Sequence, residues 1–91
     1  MNFQERYLES TKTEQRRKII LSINRPKTVT ELVKELGYDK TPAVSKLMLD
    51  LAKIKVVVCL TPERRRDRQY YLTEDGMRIR KILLGEEEFV L

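Results

Sequence analysis

Apolar residues recur at helical spacing in four stretches of the chain and run together, rich in β-branched and aromatic types, in two shorter ones. Residues 1 to 12 read as a polar arm or short helix, with Phe3, Tyr7 and Leu8 as anchors. Thr13 caps a helix to about Asn24, where Asn24-Arg25-Pro26 stops it, because proline pushes the residue before it out of helical backbone. Ile19, Ile20 and Ile23 form its core stripe, and Leu21 points elsewhere. Thr28 and Glu31 then make a capping box, each side chain satisfying an otherwise orphan backbone donor. Val29, Leu32, Val33 and Leu36 follow at i, i+3, i+4 and i+7, and Gly37 supplies the left-handed stop.

Thr41-Pro42 opens the next helix, threonine as cap and proline at the first position, where its missing N–H costs nothing. Two short helices joined by a tight glycine-containing turn predict a helix-turn-helix. Steps of 100° from Val44 bring Val44, Leu47, Met48, Leu51 and Ile54 into an arc of about 120°, the core side. Pro42, Lys46, Leu49 and Lys53 lie opposite, with Ser45 and Asp50 on the flanks. Val56 to Leu60 and Gln69 to Thr73 read as two strands around a polar tip, Thr61 to Arg68, that carries four arginines. Tyr70 and Tyr71 alternate across the second strand, one inward and one outward. Thr73 caps a last helix to about Leu84, closed by Gly85 and the acidic run Glu86-Glu87-Glu88. The expected fold is mainly α with a small β-hairpin, in the order α-α-α-β-β-α. Residues 1–12 are its arm, 13–84 its domain and 85–91 an acidic and apolar tail.

Length and composition narrow the chemistry. Ninety-one residues allow one domain with a small core. The longest apolar run, Val56 to Leu60, is far too short to span a bilayer. Arg6 and its acidic neighbours occupy the place of a secretory signal's apolar region, so a cytoplasmic location without a membrane partner is expected. A single cysteine forms no internal disulfide, and with no histidine the usual general base and the commonest metal ligand are both missing. No nucleophile–base pair, phosphate-cradling glycine loop or metal-ligand spacing is present. The expectation is a non-enzyme with no catalytic residues, cofactor or metal. Cys59 reads as a small strand residue; a redox-sensing thiol would need exposure and a lowered pKa.

Charge adds a direction. Lys and Arg number 19 and Asp and Glu 14, for a net +5. Between Lys40 and Arg68 eight positives meet three negatives, so that third of the chain holds the whole excess. A basic surface concentrated on one helix and one hairpin suggests a polyanion partner.

The ordered segments TVTELVKELG at 28–37, TPAVSKLMLDL at 41–51 and TPERRRDRQYYLTEDG at 61–76 resemble winged helix-turn-helix transcription regulators. The chain is most similar to small archaeal proteins of the ArsR/MarR-like group, over roughly Thr13 to Leu84. The resemblance implies that helix 41–54 enters the major groove and that the hairpin is the wing beside it. Thr41, Pro42, Ser45, Lys46 and Leu49 would then approach base edges, with Lys53 on the same face. Arg64, Arg65, Arg66 and Arg68 would approach the flanking backbone or minor groove. Three departures stand out. Lys55 occupies a place where the family commonly has glycine. Leu49 is apolar where a polar residue is usual, so it either meets a thymine methyl or is covered by the N-terminal arm. The lack of histidine, with Cys59 alone, argues against metal sensing.

The last helix has two apolar sides, Ile79, Ile82 and Leu83 on one and Met77 and Leu84 nearly opposite. One stripe is expected to join the core and the other to meet a second copy, helped by Phe3, Tyr7, Phe89 or Val90. The alternative is that the tail or the arm covers it within one chain. The reading as a whole is a homodimeric, sequence-specific regulator of double-stranded DNA, a repressor, reading an inverted repeat. Two alternatives stay open: a protein-interaction module of a larger transcription or repair assembly, and a non-specific architectural or RNA-binding protein.

Overall fold

A computed structural model describes residues 1–37 and 41–89. In chain order the elements are α1 (Phe3–Ser10), α2 (Glu14–Ser22), β1 (Lys27–Thr28), α3 (Val29–Leu36), α4 (Thr41–Lys53), β2 (Val57–Cys59), β3 (Gln69–Leu72) and α5 (Glu74–Leu83). Among the described residues this is a mainly helical domain of five helices with a three-stranded antiparallel sheet, ordered β1-β3-β2. No helix among them is long and apolar enough to cross a membrane.

Local chemistry accounts for most helix ends. The Thr13, Thr28 and Thr73 hydroxyls accept from the backbone N–H of Arg16, Glu31 and Gly76. At α3 the capping box is complete, since the Glu31 carboxylate also accepts from the Thr28 N–H at 3.1 Å. Gly37 ends α3 in left-handed backbone, φ 70. Two boundaries differ from the sequence reading. The first long helix stops at Ser22 with Ile23 as its cap, ahead of Asn24. Helix α4 already includes Thr41 within its helical span, and Lys40 before it lies outside the described residues.

Ile19, Ile20 and Ile23 of α2, Leu32 of α3, Val44, Met48 and Leu51 of α4, and Ile79 of α5 are fully buried together with Val56, Val57 and Leu72. Each such side chain contributes about 1.5–3 kcal/mol relative to exposure, which makes this cluster the main source of stability. Leu47 and Ile54 pack at its edge, as the angular reading of α4 requires. Cys59 is a free, half-buried thiol on the same edge.

Strand β1 has no counterpart in the sequence reading. It pairs with β3 through Lys27 opposite Tyr70 and Thr28 opposite Gln69. Lys27 is only 5% exposed. Its ammonium donates to the Ser22 carbonyl and the Glu35 carboxylate, both at 2.6 Å, which offsets the cost of burying the charge.

The N-terminal segment is a pinned helix. Arg6 of α1 donates to the Ile54 carbonyl at 2.5 Å and pairs with Asp75 at 2.6 Å. Arg16 and Arg17 of α2 donate to the Glu9 and Thr11 carbonyls at 2.8 and 2.6 Å. The tail folds back on the same helix, with Phe89 stacked on Tyr7 at 4.1 Å between ring centroids and tilted against Phe3 at 6.3 Å. Arg78 lies over the Phe3 ring and pairs with Glu87. Of the residues expected to meet a second copy, Ile79 is corrected, because it is fully buried in the core. Phe3 and Tyr7 are engaged within the chain, and Ile79 is sealed in the core with Leu83 packed against it. Ile82 is half-buried, whereas Met77 and Leu84 face outward. Val90 lies outside the described residues.

The step from α4 into the hairpin is a Schellman turn without glycine. The N–H of Val56 bonds to the Leu51 carbonyl at 3.0 Å and that of Lys55 to the Ala52 carbonyl at 3.1 Å. Lys55 itself takes φ 64. The Val56 carbonyl then accepts from the Thr73 N–H at 3.0 Å, and the Thr73 hydroxyl donates to the Lys55 carbonyl at 2.6 Å. Gly76 lies against this turn: a Cβ there would overlap the Val56 carbonyl oxygen and press on Leu72 at 3.1 Å.

Two outcomes follow. Gly76→Ala should destabilise by about 3 kcal/mol, a fall of more than about 10 °C in Tm by calorimetry, because the obstacle is backbone. An unchanged Tm would show that α5 does not sit on this carbonyl. Lys55→Gly should raise stability by about 0.5 kcal/mol in urea unfolding, as relief of the left-handed strain outweighs the added chain entropy. A lowered midpoint would contradict the left-handed turn.

Candidate nucleic-acid interface

The β1–β3 pairing joins the start of α3 to the base of the hairpin tip, since Thr28 is both the last residue of β1 and the cap of α3. A cleft of about 400 Å³ lies between them. Thr28, Val29 and Thr30 at the start of α3 and Thr41 and Ser45 at the start of α4 form one wall. Arg65, Arg66, Asp67 and Arg68 of the tip form the other, and Tyr70 belongs to the lining. Helix N-termini carry unsatisfied N–H groups and the positive end of the dipole, so both walls favour an anion. Asp67 is the one acid on the lining among the described residues.

The tip is an organised loop. The Thr61 carbonyl accepts from the Arg64 N–H at 3.1 Å and the Thr61 hydroxyl from the Gln69 N–H at 3.0 Å. Leu60 N–H bonds to the Gln69 carbonyl at 2.8 Å, continuing the ladder past β2. Asp67 takes φ 53, a left-handed conformation that aspartate tolerates better than most residues. The Arg68 guanidinium reaches back to the Arg64 carbonyl at 2.5 Å, which orients its free end.

The arginines divide by use. Arg6, Arg16, Arg25 and Arg78 each hold a carboxylate, and Arg17 and Arg80 hold backbone carbonyls. Arg64, Arg65, Arg66 and Arg68 are exposed and hold no carboxylate among the described residues. Six guanidiniums therefore tie separate parts of the fold together, and the four of the tip face solvent beside the cleft, Arg68 bonded only to the tip's own Arg64 carbonyl among the described residues. Arg25 also acts locally: its hydrogen bond to Glu31 at 2.8 Å, and then the Thr28 backbone bond, hold that carboxyl below its ordinary pKa.

The candidate residues named from sequence fall into two sets. Thr41, Ser45, Arg65, Arg66 and Arg68 meet in the cleft. Pro42, Lys46, Leu49 and Lys53 line the exposed side of α4, and Arg64 lies on the exposed tip. Leu49 is 55% exposed, so α1 does not cover it. Asp50 is turned the other way, 3.8 Å from Arg16, which leaves the outer side of α4 with lysines and no acid. Lys40, the first residue of the basic stretch, lies outside the described residues.

Sequence reasoning missed Thr30, Val29, Asp67 and Tyr70 as lining residues and took Thr28 only as a cap. Tyr70 is the inward member of the tyrosine pair, 8% exposed, and Tyr71 is half-buried. The available signal was the capping box itself, since a marked helix start is also a cluster of backbone donors. No family model matches this chain, and no curated protein or solved structure does so either.

Proposed function

We propose that this protein is a winged helix-turn-helix regulator that binds double-stranded DNA sequence-specifically as a homodimer. The observation that carries this reading is the arginine-bearing tip held across a cleft from the starts of α3 and α4, its guanidiniums holding no carboxylate among the described residues. In this reading α4 lies in the major groove. Ser45, Lys46 and Leu49 face base edges there, and the exposed Leu49 meets a thymine methyl. Thr41 and Pro42 enter at the groove edge, and Lys53 lies along the backbone. A phosphate fits the cleft, taking backbone N–H groups at the helix starts and guanidinium donors from Arg65, Arg66 and Arg68. Arg64 reaches the flanking backbone or minor groove. Phosphate contacts set affinity and register, and the α4 side chains set sequence. Two copies of α4 about 34–36 Å apart would read successive major grooves and so an inverted repeat. Repression is the simplest outcome of such occupancy at a promoter.

The test is selection of sheared genomic duplex by the purified protein at about 150 mM salt with excess competitor DNA. A short inverted repeat should be enriched. Retention of DNA without a preferred sequence would replace this reading with an architectural one, and no retention would favour a protein partner.

Replacing Arg64, Arg65 and Arg66 together by alanine should weaken binding to every duplex. It should also flatten the slope of log affinity against log salt by about 2 to 3, since each lost phosphate contact removes about 0.9. Binding measured by fluorescence anisotropy with an unchanged slope would remove the tip from the interface.

A further inference from the structure

Tyr70 lines the cleft between the tip and the helix starts, yet it is only 8% exposed. Its hydroxyl makes no hydrogen bond among the described residues. Burying a hydroxyl without a partner is costly, and phenylalanine would fill the same space without that cost. Packing therefore does not account for the oxygen, and the cleft is the open space beside it.

Other unused donors border the same space. The side chains of Arg65 and Arg66 make no hydrogen bond or ion pair among the described residues. Arg68 spends only Nε on the Arg64 carbonyl and keeps its two terminal nitrogens. Thr30 and Ser45 bring hydroxyls without a partner among the described residues, whereas that of Thr28 already accepts from the Glu31 N–H. The first-turn N–H groups of α3 and α4 have no partner within their helices. A tetrahedral oxyanion accepts from several directions at once, which guanidiniums, hydroxyls and backbone N–H groups together supply.

Asp67 has the opposite character, since a carboxylate only accepts. Its side chain too has no partner among the described residues. Beside a bound anion it repels a ligand with no hydrogen to give and accepts from one that carries a hydroxyl. Hydrogenphosphate carries a P–OH at neutral pH, whereas sulfate and the diester phosphates of DNA carry none. At about 400 Å³ the cleft is also larger than one phosphate and within the range of small-molecule sites.

We propose that the cleft binds free phosphate, inorganic or as the monoester of a small hydroxylated compound, with the Tyr70 hydroxyl donating to it and Asp67 accepting from it. Arg65, Arg66 and Arg68 neutralise its charge. Free phosphate then competes with a DNA phosphate for the same donors and releases the duplex. The competition rests on the proposed function; the anion site does not.

Nuclear magnetic resonance titration of the full chain with sodium phosphate and sodium sulfate, at equal ionic strength, tests the site. Phosphate should bind with a dissociation constant of about 1 mM or below, and about tenfold more tightly than sulfate. Tyr70→Phe should weaken phosphate about tenfold, the loss of one hydrogen bond to a charged group, with a circular dichroism melt no lower than the wild type's. D67N should bring sulfate up to the affinity of phosphate. Glycerol phosphate bound more tightly than phosphate identifies an ester as the ligand, and equal binding identifies inorganic phosphate. No binding, phosphate and sulfate bound alike by the wild type, or Tyr70→Phe binding as well as the wild type would each overturn the site. Duplex bound at low salt should be released by phosphate where chloride of equal ionic strength leaves it bound, and retention would overturn the competition. A protein that binds phosphate in this way but no DNA supports the site and removes the regulator.

Discussion

The carbonyl of Val56 is the point on which the arrangement turns. Lys55, in left-handed backbone, aims the chain out of α4 so that this carbonyl faces the end of β3, where the Thr73 N–H takes it. Thr73 also caps α5, and Gly76 lets that helix lie directly on the turn. One residue pair therefore sets three relations: α4 to the hairpin, the hairpin to α5, and α5 to the core. A hairpin leaving α4 at another angle would carry its arginines away from the starts of α3 and α4.

Electrostatics divides the molecule in a way that net charge conceals. Arg16 and Arg17 hold α2 to the end of α1, Arg6 ties α1 to the Ile54 carbonyl and to Asp75 of α5, and Lys27 is buried against Glu35. These cations are structural, and their acids are consumed with them. Among the described residues the tip arginines have no acidic partners, and they stand about a cleft rich in backbone donors and hydroxyls. In the proposed reading this is why a modest excess of +5 suffices for a polyanion: the uncompensated part is gathered in one place.

Much of the fold was readable from residues because the governing interactions are short in sequence. The Thr28–Glu31 box, the Thr13 and Thr73 caps and the left-handed Gly37 each act within one helical turn. The core stripes of α2, α3 and α4 follow from helical period alone. Strand β1 was invisible for the opposite reason. A Lys-Thr pair has no strand pattern, and Lys27 is buried only because Ser22 and Glu35 happen to converge on its ammonium. The two apolar sides of α5 were seen, but not which one the core would take. That choice follows from packing against α2, marked by buried Ile79 and by the bond from Arg80 to the Leu21 carbonyl.

The sequence by itself determined the main helices, the caps at Thr13, Thr28 and Thr73, the hairpin, the arginine tip and the outward side of α4, since period, capping chemistry and charge are local properties. Only the tertiary structure decided that the tip faces the starts of α3 and α4. That placement depends on Lys27 and Thr28 pairing with Tyr70 and Gln69, some forty residues later in the chain. It decided too that Phe3 and Tyr7 are covered by Phe89 of the same chain. Contacts between distant segments are chosen by competition among all the surfaces a chain must bury, and no local pattern records the outcome.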